Sequence, residues 1–226
     1  MAKFAKLIQK NNENLLIKNF IRHFKDIVLL NNKNRFTFVL TGGKSPINLY
    51  RKLSKEKGIP WNKIDFFISD ERYVETKSKF SNINMCKKNL LNKINIQKKQ
   101  IFQISTNNNS VKKDTRLYEK KIKKYFGNKK VVFDFCLLGM GPDGHIGGLF
   151  RNNIINKSKN NVSFLKRKDF TRISLTLKCI NNSKIISLWL PNSKKIKIVK
   201  KILSDNKLKY PVSFLRKKNS FLFYCN

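Results

Sequence analysis

What most constrains this chain is the way its apolar runs end. Three strand-like runs, Arg35 to Leu40, Ile64 to Ser69 and Val131 to Leu138, pass straight into loops of glycine or charge. Those loops are Thr41-Gly42-Gly43-Lys44-Ser45-Pro46, Asp70-Glu71-Arg72 and Gly139-Met140-Gly141-Pro142-Asp143-Gly144-His145. Between the runs lie segments with apolar residues at helical spacing: Asn14 to Leu30, a helix entered through Pro46, a Ser81-capped helix to about Leu91, and Asp114 to Phe126. Further strands are predicted at Arg172 to Leu177, Ile185 to Leu190 and Phe221 to Tyr224, with a helix from about Ser193 to Leu203. A run as apolar as 131–138 suits a parallel strand buried on both faces. The alternation predicts an α/β fold: a doubly wound, mostly parallel sheet with helices on both faces, Rossmann-like. In such sheets ligands bind where strands end, so the three loops should converge. No Pro/Gly/Ser-rich linker divides the chain, and residues 1–226 read as one domain.

The charge calls for a separate account. The chain has 50 Lys+Arg against 13 Asp+Glu, a formal net charge of +37 over 226 residues. A field of that size points first to nucleic acid or anionic lipid. Yet the composition is 41 Lys and 29 Asn against 9 Arg and 2 Ala. That pattern follows A/T-rich codons, and Arg, the residue suited to bidentate phosphate and guanine contacts, is scarce. The lysines are also spread along the whole chain. Biased composition therefore explains the charge better than specific nucleic-acid binding does. No apolar stretch approaches the ~20 residues of a membrane span. Cys86, Cys136, Cys179 and Cys225 form no C-x-x-C and no Cys/His cluster, so no metal is expected. The N-terminus lacks a secretory h-region, and the protein reads as cytoplasmic and reduced.

Each loop has a chemical and a plain reading. Gly42 and Gly43 let the backbone approach a ligand, and Ser45 adds a donor, which suits an anion. A tight strand-to-helix turn would look the same. Asp70 or Glu71 could transfer or steer a proton, and Arg72 could hold a phosphate or oxyanion. Alone, that triplet reads more readily as a solvated ion pair. His145 is different. It is one of two histidines, lies in a glycine-dense loop after a buried strand, and has Asp143 two residues away to fix its tautomer. His23, on a lysine-flanked helix, reads as a packing or surface residue.

Taken in order, these loops resemble the 6-phosphogluconolactonase family, within the wider sugar-phosphate isomerase/lactonase superfamily. The matching pieces are 41–46, Ser69-Asp70-Glu71-Arg72-Tyr73-Val74, Ser81-Asn82, and Gly139 through His145 with Leu149-Phe150. Weaker matches are Arg172-Ile173-Ser174-Leu175-Thr176, Lys194, and Pro211-Val212-Ser213. The resemblance implies hydrolysis of 6-phospho-D-glucono-1,5-lactone to 6-phosphogluconate in the oxidative pentose phosphate pathway, with no metal and no organic cofactor. It implies that Gly42, Gly43, Lys44 and Ser45 cradle the phosphate, with Arg172 and Lys194 as charge partners. His145, Asp143, Arg72, Asp70 and Glu71 are the implied catalytic set, with His145 activating water and Arg72 facing the oxyanion. The partner is then a phosphorylated sugar lactone, for a monomer or weak homo-oligomer with no specific nucleic acid and no membrane. Two departures stand out. The family continues its His with Thr-Ala-Ser-Leu-Phe-Pro, where this chain has Ile146-Gly147-Gly148-Leu149-Phe150-Arg151, and Pro191 replaces a glycine before Lys194.

Three alternatives stand beside this reading. A glucosamine-6-phosphate deaminase/isomerase would carry a Glu shortly after its His, but no acid occurs between Asp143 and Asp169. A basic nucleic-acid-binding protein is the alternative from another class. An inactive paralogue would rest only on the changes at 146–151.

Overall fold

Two adjacent strands, β2 (Phe36–Leu40) and β3 (Ile64–Ile68), are buried at every position. Consecutive side chains point to opposite faces of a strand, so both faces of the sheet there must be covered. In the computed structural model they are. The model describes residues 6–151, 159–192, 201, 210–216 and 220–225. Helix α1 (Glu13–Leu29) covers one face with Leu16, Ile17, Phe20, Phe24 and Val28. Phe24 meets Phe38 of β2, with ring centroids 4.6 Å apart. On the other face, Phe67 packs against Phe133 and against Tyr125 of α4 (Val111–Phe126). Tyr118 of α4 seals that face by donating to Ile68 O at 2.9 Å and accepting from Ile68 N at 3.0 Å.

Among the described residues the main sheet has seven strands, and all of its pairings are parallel. The others are β1 (Lys6–Lys10), β5 (Ile101–Phe102), β6 (Phe135–Gly139), β9 (Ile185–Leu190) and β10 (Ser220–Cys225). Their order is β1-β10-β9-β6-β2-β3-β5. From β2 the chain builds outward through β3 to β5; on the other side of β2 it returns through β6. The gap between β2 and β6 is therefore the topological switch point, where such sheets bind ligands. Helices α2 (Ile47–Leu53), α3 (Asn82–Asn89) and α5 (Leu177–Asn181) lie in further connections between strands.

The structure corrects three sequence expectations. Arg172–Leu175 is a strand, β8, but it leaves the main sheet and pairs antiparallel with β4 (Asp70–Arg72) and β7 (Val162–Leu165). The Asp70-Glu71-Arg72 triplet is consequently a short strand. The run from Val131 becomes a strand only at Phe135, because Asp134 turns inward. It accepts from Thr37 N and Oγ1 at 3.0 and 2.9 Å, and Thr37 Oγ1 accepts from Asp134 N in return. Those side-chain bonds take the place of ladder bonds at the sheet's amino edge. The helix expected from Ser193 to Leu203 lies, save residue 201, outside the described residues.

Candidate functional site

The loops after β2 and β6 lie side by side because their strands do, and specific bonds lock them. Gly139 N donates to Thr41 Oγ1 at 3.1 Å. Tyr50 of α2 donates its hydroxyl to Thr41 O at 2.8 Å, and Trp189 of β9 donates Nε1 to Ser45 O at 3.0 Å. Gly43 takes φ +82° with open space where a side chain would stand. This is backbone that L-residues avoid, presented to solvent. Lys44 is exposed beside it. A cleft of about 490 Å³ adjoins Lys44 and Ser45, walled by Asn12, Asn48, Pro191 and Asn192. That volume suits a small ligand, although the cleft lies beside this loop and does not include the His145 ring.

In the loop after β6, His145 Nδ1 lies 2.5 Å from Asp143 Oδ1. Gly141 makes room for the pair: a Cβ there would sit 2.1 Å from His145 Cε1 and 2.8 Å from Asp143 Oδ1. Burial acts to raise the Asp143 carboxyl, but the hydrogen bond and charge of His145 outweigh it and hold it below its ordinary value. An ionised Asp143 keeps the proton on Nδ1 and leaves Nε2 as the basic nitrogen. The imidazole stacks on Phe150, with centroids 4.3 Å apart. Arg167 Cζ lies 3.9 Å from the same ring centre. Phe150 thus packs against both the imidazole and the Arg167 guanidinium.

Residues 146–149, the first three of which depart from the family pattern, make a closed turn. Ile146 is fully buried, and Ile146 and Leu149 exchange backbone bonds at 3.3 and 2.9 Å. Gly147 takes φ +53°, while a Cβ at Gly148 would meet Ser174 Cβ at 2.6 Å. Ser174 Oγ instead accepts from Gly148 N at 3.0 Å. A serine at 148 would collide with Ser174, so that departure from the family pattern fits its surroundings here.

The Asp70-Glu71-Arg72 strand grips the start of α3. Glu71, 1% exposed, accepts from the backbone N–H of Arg72, Asn82 and Ile83 at 2.9, 2.6 and 2.8 Å, and from the Ser81 hydroxyl at 3.2 Å. Burial pushes its carboxyl up to about 7, against the pull of those N–H donors. Arg72 Nη1 donates to Phe80 O at 2.8 Å. Asp70 accepts from Ser69 Oγ at 2.9 Å and from Asn82 Nδ2 at 3.2 Å. Glu71, expected among the catalytic residues, is thus engaged as a helix cap.

Arg172, expected as a charge partner of the phosphate, is buried and held by Asp169, with Nη2 2.7 Å from Oδ2, and it lies 5.1 Å from the Phe150 ring. Arg172 pairs directly with Arg72 across β4 and β8, so the two share a face of the small sheet. Lys194 lies outside the described residues. His23 packs on Phe221 at 4.3 Å, as its helix suggested. All four cysteines are free and buried, and no cluster of three or more metal-ligating side chains occurs among the described residues. No helix among them is long and apolar enough to cross a membrane.

Sequence reasoning missed two contributors. Phe150 was read only as part of a match, though an aromatic five residues after a histidine hinted at stacking. Asn82, quoted only with Ser81, wedges under Gly42 while bonding Asp70, and local sequence gave no sign of that contact.

Residues 12–223 match the family described as glucosamine-6-phosphate isomerases/6-phosphogluconolactonase. A 6-phosphogluconolactonase of Thermotoga maritima is 33% identical over 199 residues, 87% of this chain and 86% of that protein. A crystal structure of 6-phosphogluconolactonase from the same organism has TM-score 0.84 at 29% identity, covering 97% of this chain and 99% of the other. A monomeric glucosamine-6-phosphate deaminase has TM-score 0.83 at 20% identity over 98% of this chain and 97% of its own, a likeness of fold alone. From the matched span and the identity together, the chain belongs to the glucosamine-6-phosphate isomerase/6-phosphogluconolactonase family.

Proposed function

We propose that this chain hydrolyses 6-phospho-D-glucono-1,5-lactone to 6-phosphogluconate, the reaction named by its relatives and placed in the oxidative pentose phosphate pathway. The observation that carries the reading is the Asp143–His145 pair on a glycine-cleared loop at the switch point. His145 Nε2 takes a proton from water as the water oxygen attacks the lactone carbonyl carbon. Asp143 keeps the imidazole in the right tautomer and offsets the positive charge it acquires. Arg72 faces the developing oxyanion, where a fixed cation contributes several kcal/mol, on the order of 3. The C–O bond to the ring oxygen then breaks, and His145 returns its proton to that oxygen. Gly42, Gly43, Lys44 and Ser45 receive the phosphate, with Lys194 as a further cation. Arg172, tied to Asp169, serves the His145–Phe150 side of the site.

The family also contains deaminases, and one observation weighs against that chemistry here. No acid follows Asp143 until Asp169, and Asp169 is committed to Arg172 and Arg167. The test supplies purified protein with the lactone generated in situ, subtracts its spontaneous hydrolysis, and runs glucosamine 6-phosphate in parallel. Lactone acceleration without ammonia is expected. Ammonia release would move the chain to the deaminase branch.

A further inference from the structure

We infer that Asn82 is a positioning residue for the lactonase site, fixing the Asp70 side chain and setting how closely the Gly42–Ser45 loop approaches it. The inference rests on the lactonase reading above. Asn82 opens α3 and is 1% exposed, with its backbone N–H held by Glu71 Oε1 at 2.6 Å. Its Nδ2 donates to Asp70 O at 2.8 Å and to Asp70 Oδ2 at 3.2 Å. Two acceptors on Asp70 fix which end of the amide faces which way: nitrogen toward Asp70, oxygen away from it.

That oxygen points at Gly42. A Cβ on Gly42 would lie 2.0 Å from Asn82 Oδ1 and 1.9 Å from Cγ, so the amide occupies the space a side chain at 42 would need. Oδ1 is buried there and takes no hydrogen bond from any of the described residues. A bare buried acceptor is costly, and a leucine would fill the space without that cost. Packing alone therefore does not account for an amide. Its donor end does, because it orients Asp70, whose other oxygen would lie 3.7 Å from a Cβ on Gly147. Asp70 stands between the phosphate loop and the His145 loop, and Asn82 touches both Asp70 and the first of these. Four sequence pieces, 41–46, 69–74, 81–82 and 145–148, meet through this one side chain and its partner.

The test is steady-state lactonase kinetics on Asn82→Ala and Asn82→Ser, with thermal midpoints. Wild-type protein that fails to accelerate lactone hydrolysis would refute the functional reading, not this inference. Given an active wild type, kcat should fall roughly 10- to 100-fold in Asn82→Ala, the scale of a misplaced catalytic group. KM should stay within about threefold and the midpoint within a few degrees. Asn82→Ser, which keeps a hydroxyl donor and suits a helix start, should fold even where Ala does not, and should lose less. In an Asp70→Asn background with measurable residual rate, removing the Asn82 amide should change kcat less than about twofold. Where that background has no measurable rate, the kcat-against-KM split of the single variants decides. Unchanged kcat in the Asn82 variants, a rise in KM alone, or equal losses with and without Asp70 would overturn the inference.

Discussion

Glu71 and Asp143 are both acids at the carboxyl edge of the sheet, and their surroundings are opposite. Glu71 is 1% exposed, accepts four hydrogen bonds and is pushed up to about 7 by burial. The Asp143 side chain is 55% exposed, and its one short side-chain bond goes to an imidazole, which helps hold it below its ordinary value. Four protein donors already engage the Glu71 carboxyl, which leaves it little to offer a substrate. In the proposed mechanism Asp143 orients a group that exchanges a proton. On that mechanism, conspicuous charge in the sequence marks one residue that builds the site and another that works in it.

The sharpest way to break this comparison is to remove the working side. His145→Ala should lower kcat about 10³-fold, within the range of a positioned general base, with an unchanged thermal midpoint. Glu71→Ala should do the reverse. Leaving three backbone N–H groups and a buried hydroxyl without their acceptor should cost about 3 kcal/mol of stability, read by denaturant unfolding. A loss of activity in that variant larger than its unfolded fraction explains would erase the contrast between the two acids. Gly141→Ala comes next, with kcat falling roughly 10-fold or more as the new methyl displaces the His145–Asp143 pair, while KM holds.

The opposite pKa shifts give a smaller, signed test. A carboxyl raised in the folded state stabilises at low pH and loses that contribution as pH rises through its folded value. Glu71 should therefore make wild-type stability decline as pH rises through about 7, and Glu71→Gln should flatten that decline. Asp143 and Asp134 are held low, so their stabilisation is present above the ordinary carboxylate value and lost as pH falls through the folded one. For Asp134, burial opposes the shift, and the bonds from Lys33, Thr37 and Lys184 outweigh it. Asp134→Asn should make acid unfolding less steep. The smallest effect is salt. If the +37 charge steers an anionic substrate, kcat/KM falls a few-fold on the order of 2–5 between low and physiological salt while kcat holds. Equal changes in both would point away from steering.

Much of the fold could be read from the sequence because its central strands are apolar on both faces and end in glycine or charge. Thr41–Pro46 and Gly139–His145 fall at the strand ends where they were expected. The edge strand β1 escaped notice. Its lysines and exposed positions, Lys6, Leu7 and Gln9 against half-buried Ile8, suit a sheet edge and carry no buried-strand signature. The antiparallel pairing of β4 with β8 was illegible for another reason: it joins residues about a hundred positions apart, and no local period records such a pairing. For the same reason the sequence could name Asp70, Gly42 and Asn82 but not the contact among them. Arg172 was read as a candidate charge partner of the phosphate, whereas its bond to Asp169 and its place near Phe150 are visible only in the folded chain.

The central claim is that His145, oriented by Asp143, activates water for lactone hydrolysis. Its most direct test compares wild type and His145→Ala on lactone generated in situ, with the spontaneous rate subtracted and the folded fraction of each protein measured. The account predicts clear acceleration by the wild type and a rate near background for the folded variant. A folded His145→Ala protein that turns the lactone over at the wild-type rate would contradict it.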